Sequence, residues 1–198
     1  MKIIVLFLLT AFTAMAQWAN SPFPSTPPES GYVLQNAFPS LSFAPPHRLV
    51  GLATNAGRLF IVDQGGQVFV ITNLSAPTKT VFLDNRADCW SAGEGGLFGV
   101  AFHPAGDRVF TWANETNRVA GKMVNRLCRW TVDPANRNRV LPASKVILIE
   151  QVDQHPDHSA GDLQFGPDGY LYLPLGDEGG GNGVLGNAQR IDRDFFSG

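Results

Sequence analysis

The segment LQFGPDGYLYLP (residues 163–174) carries the unit whose reading decides the fold. An apolar strand runs into a glycine-containing turn, and a second strand opens on an aliphatic–aromatic pair. The same unit stands in LVGLATNAGRLFIV (49–62) and GVAFHPAGDRVFTW (99–112). Its marker glycines, Gly57, Gly106 and Gly169, recur at spacings of 49 and 63 residues. Spacings near 50 fit four-stranded propeller blades with loop insertions. A β-sandwich also supplies many short strands, but it does not predict this recurring unit.

Outward from these units, residues 59–62 and 68–72 flank the turn 63–67 and read as a hairpin. Further strands are expected at 81–83, 98–102, 109–113, 127–132, 146–150, 162–165 and 170–175. No segment longer than about ten residues shows helical periodicity, so the expected class is all-β. Residues 47–198 hold about three blades, and a closed propeller needs at least four. The chain stops as a new apolar run begins at Phe195-Phe196. The expectation is therefore the N-terminal part of a longer propeller.

The flanking composition sets the compartment. Residues 17–46 carry seven of the fourteen prolines and read as an extended leader. Residues 1–16 have the layout of a secretory signal: Lys2, an apolar stretch over 3–13, and Ala14-Met15-Ala16. The apolar stretch is too short to span a bilayer, and no later stretch qualifies. A secreted or periplasmic protein without a membrane span after signal removal is expected; a retained N-terminal anchor is the alternative. The formal charge of −2 gives no electrostatic case for nucleic acid as a partner.

Charge is nonetheless uneven. Residues 118–145 hold seven Lys or Arg and one acid, which reads as a solvated basic strand pair. Residues 150–178 hold seven acids and no Lys or Arg. Within the acidic stretch His158 precedes one expected strand and Asp177 follows the next. The GPDG turn (166–169) reverses the chain between them and returns Asp177 toward His158. A carboxylate beside an imidazole fixes its tautomer and makes it a ready proton acceptor. A solvated histidine in a surface loop is the alternative. In an exported chain Cys89 and Cys128 are free to pair, closing a 39-residue loop for about 4 kcal/mol of stability. Two buried thiols are the other reading.

Two motifs carry a resemblance. GEGGLFGVAFHP (93–104) closely resembles the G-[EQ]-x-G-L-L-G-x-A-F-H-P motif of the glucose/sorbosone dehydrogenase family. HSAGDLQFGPDGYLYLPLGDEGG (158–180) resembles that family's H-x-x-G-x-L-x-F-G-P-D-G-x-L-Y-x-x-x-G-D-x-G motif. NRLCRWTVDP (125–134) and SKVILIE (144–150) are similar in kind and order to family strands. The family comprises exported six-bladed propellers, typified by glucose and aldose dehydrogenases that depend on pyrroloquinoline quinone (PQQ).

The resemblance implies oxidation of an aldose at its anomeric carbon, with PQQ and calcium as cofactors and an external electron acceptor as partner. It makes His158 the general base and Asp177 the carboxylate that orients it. Asp157 and Asn182 match sugar-contacting positions. Glu94 stands where the family's glucose dehydrogenase has a substrate-contacting glutamine, which puts the sugar specificity in doubt. Residues holding PQQ and calcium are expected beyond Gly198, with no metal ligands in this chain. His155 lacks a third ligand at sensible spacing, and His103 with Pro104 reads as a structural turn. Two other classes stand beside this one. A binding propeller of the Hedgehog-interacting-protein type would share the architecture without the oxidation. A hydrolase-type propeller lacks support from any G-x-S-x-G or H-E-x-x-H.

Overall fold

β-Branched and aromatic residues in short runs, punctuated by Gly, Pro, Asn and Asp, give this chain strands and tight turns. A computed structural model describes residues 31, 33–52, 55–153, 155, 157–159, 161–179 and 186. The expected signal, half of the expected leader (residues 17–30 and 32) and Asn182 lie outside the described residues. The chain divides into Met1–Ala37 and Phe38–Gly198, and every described strand belongs to the second unit.

The first sheet joins β1 (Pro46–Leu52), β2 (Asn55–Asp63), β3 (Gln67–Ile71) and β4 (Lys79–Asp84). The second joins β5 (Leu97–Phe102), β6 (Arg108–Asn117), β7 (Lys122–Thr131) and β8 (Val146–Val152). Each strand pairs antiparallel with its sequence neighbour. A short hairpin follows, made of β9 (Gln164–Phe165) and β10 (Leu171–Tyr172). A single 3-10 turn, Pro142–Ser144, leads into β8. β1 packs beside β5, and β5 beside β9, so the leading strands of successive units are neighbours. The fold is all-β, built of antiparallel sheets, and is consistent with a β-propeller-type domain.

The repeat unit is uneven in detail. Gly106 and Gly169 occupy turns at φ 71° and 82°, a conformation that favours glycine. Gly57 does not: Leu52 pairs with Asn55, which places Gly57 inside β2. β9 and β10 are shorter than expected, whereas β6 and β7 run on to Asn117 and back to Lys122. Pro46, expected in the leader, opens β1; an edge strand tolerates proline at its first residue.

Two apolar clusters hold the sheets. Phe60, Val62, Val70, Phe82, Leu97, Val109 and Trp130 bury one face of each sheet together. The rings of Phe60, Phe82 and Phe102 lie 4.4–5.5 Å apart, in tilted and edge contacts. Trp112, Leu127 and Leu163 form the second cluster, with Phe110, Phe165 and Leu171 packed against it. This second cluster seats the β9–β10 hairpin on the second sheet.

Two sequence readings require correction. Cys89 and Cys128 are free thiols. Each contacts a polar neighbour instead: Cys128 Sγ lies 4.0 Å from Glu115 Oε1, and Cys89 Sγ 3.6 Å from the Gln64 carbonyl. The basic run is also not a solvated face throughout. Arg126 is buried and Lys145 nearly so, both drawn inward by Glu115, which is wholly buried on β6. Lys145 Nζ lies 2.8 Å from both carboxylate oxygens of Glu115 and 2.9 Å from Asp88. Arg126 donates to Glu115 at 2.9 Å and to Glu150 at 2.5 Å, and Asn85 donates to Glu115 at 2.7 Å. Sequence alone showed the charges, but the strand register brings them together.

Candidate functional site

The loop after β8 is fixed from below by β6 and β7. Buried Asp153 accepts from the His155 amide at 3.0 Å and from Asn114 Nδ2 at 2.9 Å. Ser159 Oγ donates to Asp153 at 3.2 Å and accepts from Asn114 at 3.1 Å. Asn114 Nδ2 also lies 2.6 Å from Asn125 Oδ1, and Trp112 Nε1 donates to the Ser159 carbonyl at 3.1 Å. This rack of Asn114, Asn125, Asp153 and Ser159 was not visible in the sequence, because its members are polar residues on β6, on β7 and in the loop after β8. Immediately beyond it, Gly161 (φ 127°) sits flat on the sheet. A Cβ there would stand 2.3 Å from Trp112 Cδ1, so only glycine permits this approach.

His158 rides on that support. Its backbone is left-handed (φ 57°), which costs a non-glycine residue roughly 1–2 kcal/mol. Strain of this kind gathers where surroundings hold a side chain for a task. The ring is about half exposed, and Nδ1 lies 2.8 Å from Asp177 Oδ1. Asp177 Oδ1 also accepts the Gly179 amide at 3.2 Å. The hydrogen bond to Asp177 holds the His158 pKa above its ordinary value, more strongly than desolvation lowers it. In turn that bond keeps Asp177 below the usual carboxylate range. With the Nδ1 proton facing Asp177, Nε2 carries the lone pair and is free to take a proton.

The other expected residues divide into those present and one outside. Glu94 belongs to the loop before β5, which Gln64 ties down by donating to Gly93 O at 3.0 Å and Gly95 O at 2.8 Å. Glu94 Oε2 accepts the His158 amide at 3.4 Å. Asp157 is half buried between two glycine turns: a Cβ on Gly179 would lie 3.2 Å from its Cβ, and one on Gly93 would lie 3.8 Å from its Oδ1. Glu94, Asp157, Asp177 and His158 thus share one end of the second sheet. His103 caps the β5–β6 turn, its Nδ1 accepting from the Ala105 amide at 3.1 Å. Among the described residues no group of three His, Cys, Asp or Glu side chains could hold a metal ion.

Glu178 was missed by sequence reasoning. It is buried with φ 61°, and its Oε1 accepts from Gln151 Nε2 at 3.0 Å. Burial, and secondarily the charge of Asp153, push its pKa up to about 6. The signal available was its place directly after Asp177, but nothing in the sequence distinguished an inward from an outward carboxylate.

The site therefore offers one oriented base, with carboxylates as the charged groups that act on it. The family described as Glucose / Sorbosone dehydrogenase matches residues 43–195. The Hedgehog-interacting proteins of Mus musculus and Homo sapiens are each 31% identical to the chain over 131 residues. The match covers 61% of this chain and 19% of each relative, so the chain spans about a fifth of their length.

Proposed function

The chain belongs to the glucose/sorbosone dehydrogenase family, and from that premise we propose that it is the base-bearing part of an exported sugar dehydrogenase. In this reading the two four-stranded sheets are successive blades of a six-bladed ring, and the β9–β10 hairpin is the inner portion of a third. Residues 1–16 direct export to the periplasm or the outside of the cell.

The observation that supports the reading is the 2.8 Å contact between His158 Nδ1 and Asp177 Oδ1. Oxidation of an aldose to its lactone passes a hydride from C1 to a bound oxidant and a proton from the C1 hydroxyl to a base. Nε2 of neutral His158 takes that proton. Asp177 holds the ring and stabilises the imidazolium that forms. Glu94 and Asp157 stand beside the base, where they accept hydrogen bonds from sugar hydroxyls; Asn182 is proposed for the same task.

PQQ with calcium is the oxidant that the family resemblance implies. The described residues around His158 do not fit it: Glu94, Asp157 and Asp177 would repel a polyanionic quinone, and no cation stands among the charges acting on the base. No step is therefore derived through PQQ, and its ligands are assigned to no residue of this chain. The same acidic surround, with the match to Hedgehog-interacting proteins, favours a second reading in which this end of the domain binds a partner without oxidising sugar.

One experiment separates the two. The intact protein is supplied with PQQ and Ca²⁺ and assayed on a panel of aldoses with a dye acceptor. The dehydrogenase reading requires turnover, and His158→Ala should lower that turnover by ~10²–10⁴, the usual contribution of a positioned base. No turnover on any sugar and no PQQ binding would overturn the dehydrogenase reading and support the binding one.

A further inference from the structure

A cavity opens at the other end of the sheets from His158. Arg108 and Asn114 are six residues apart on β6, about 20 Å at 3.3 Å per residue. Asn114 belongs to the rack under His158, whereas the cavity lies by the β5–β6 turn that precedes Arg108. It measures about 310 Å³ and is lined by Leu52, Phe82, Phe102 and Val132 on its apolar side and by Arg58 and Arg137 on its charged side.

Among the described residues no carboxylate forms an ion pair with Arg58 or Arg137. They are nevertheless held together: Arg58 Nη1 donates to the Arg137 carbonyl at 2.8 Å, and Arg137 Nη2 donates to the Gly106 carbonyl at 2.7 Å. Arg58 Nε is buried without a hydrogen-bond partner, alone in this among the described side-chain nitrogens and oxygens. Nε is shut off from water and so does not face the cavity, where an anion meets the Nη nitrogens of the two guanidinium groups. Burial, and then the charge of Arg137, hold the Arg58 pKa below its ordinary value, as expected where like charges face one space. Gly106 makes room for this arrangement, since a Cβ there would stand 2.8 Å from Arg137 Nη2.

We propose that this cavity binds a small organic anion, whose carboxylate or phosphate sits between Arg58 and Arg137 and whose apolar body lies on Phe82 and Phe102. Planar guanidinium groups suit such oxyanions, because their donors are fixed in a fork. The aromatic floor adds affinity for a ligand with an apolar part and distinguishes it from inorganic phosphate. The site is independent of His158 and of the sugar chemistry.

Calorimetric titration of the intact protein tests this with phenyl phosphate, benzoate and inorganic phosphate as probes. Saturable binding of phenyl phosphate or benzoate is expected, at least about tenfold tighter than that of inorganic phosphate. Arg137→Gln and Arg58→Gln should each weaken it by about tenfold or more, the scale of one charge-assisted hydrogen bond. Arg137 is exposed, so its variant retains the fold even if Arg58→Gln does not; far-ultraviolet circular dichroism checks both. Equal binding by the folded Arg137→Gln variant would overturn the assignment. So would affinity for inorganic phosphate as high as for the organic probes, or no saturable binding of any probe at millimolar concentration.

Discussion

Replacing Glu115 by Gln removes one negative charge from a position with no exposure to water. The amide keeps the shape and one acceptor, so the loss is electrostatic and not a cavity. It turns a donor toward Lys145 or Arg126, both of which already donate there. Breaking a buried ion pair from one side costs about 3–5 kcal/mol, because the remaining charge stays buried and unpaired. Here Lys145 retains Asp88 and Arg126 retains Glu150, so the lower value, about 3 kcal/mol, is expected. For a domain of this size that shifts the melting temperature by roughly 6–12 °C. Urea unfolding followed by tryptophan fluorescence gives the free energy, and the double variant Glu115→Gln/Lys145→Met gives the coupling. The double variant should be less destabilised than the sum of the two singles. A loss below about 1 kcal/mol in Glu115→Gln would refute the view that these charges hold β6, β7 and the strand-connecting loop together.

The titratable groups give further expectations. His158 acts as a base only when neutral, and its pKa is raised above 6.5, so the rate should rise with pH through a midpoint above that value. Asp177→Asn should lower both the midpoint and the turnover; an unmoved midpoint would remove Asp177 from its role. Glu178 titrates at about 6 in the folded chain against an ordinary 4.5, so its contribution to stability is full below pH 4.5 and is lost as pH rises through about 6. Glu178→Gln should gain on the parent across that window in urea midpoints, and parallel curves would contradict the burial. Burial pushes the Cys89 and Cys128 thiols up to about 12, so iodoacetamide should modify neither readily in the native protein at neutral pH, and both after unfolding.

The hairpin of β2 and β3 and the turns at Gly106 and Gly169 were legible, because local chemistry decides them. The approach of Asp177 to His158 was legible for the same reason: two short strands and a GPDG turn fix it within twenty or so residues. The far ends of β6 and β7 were not. Asn114, Glu115, Asn125 and Arg126 look like residues that stop a strand, and each is satisfied by a partner the sequence does not bring near. Glu115 meets Lys145 thirty positions on, and Asn114 meets Asp153 thirty-nine positions on. Gly57 misled in the opposite direction. A glycine followed by Arg-Leu-Phe reads as a turn before a strand, but the pairing of Leu52 with Asn55 had already closed the hairpin.

The rack beneath His158 separates two kinds of inheritance. Asn114, Asn125, Asp153 and Ser159 bond to one another and to the backbone, and none of their hydrogen bonds uses the His158 ring or the Asp177 carboxylate. A lineage that changes the ring or its partner therefore keeps the platform in place and alters only what the platform presents. Chemistry can be lost or exchanged in a single substitution while the shape of this end persists. The same platform can in this way present different side chains without being rebuilt.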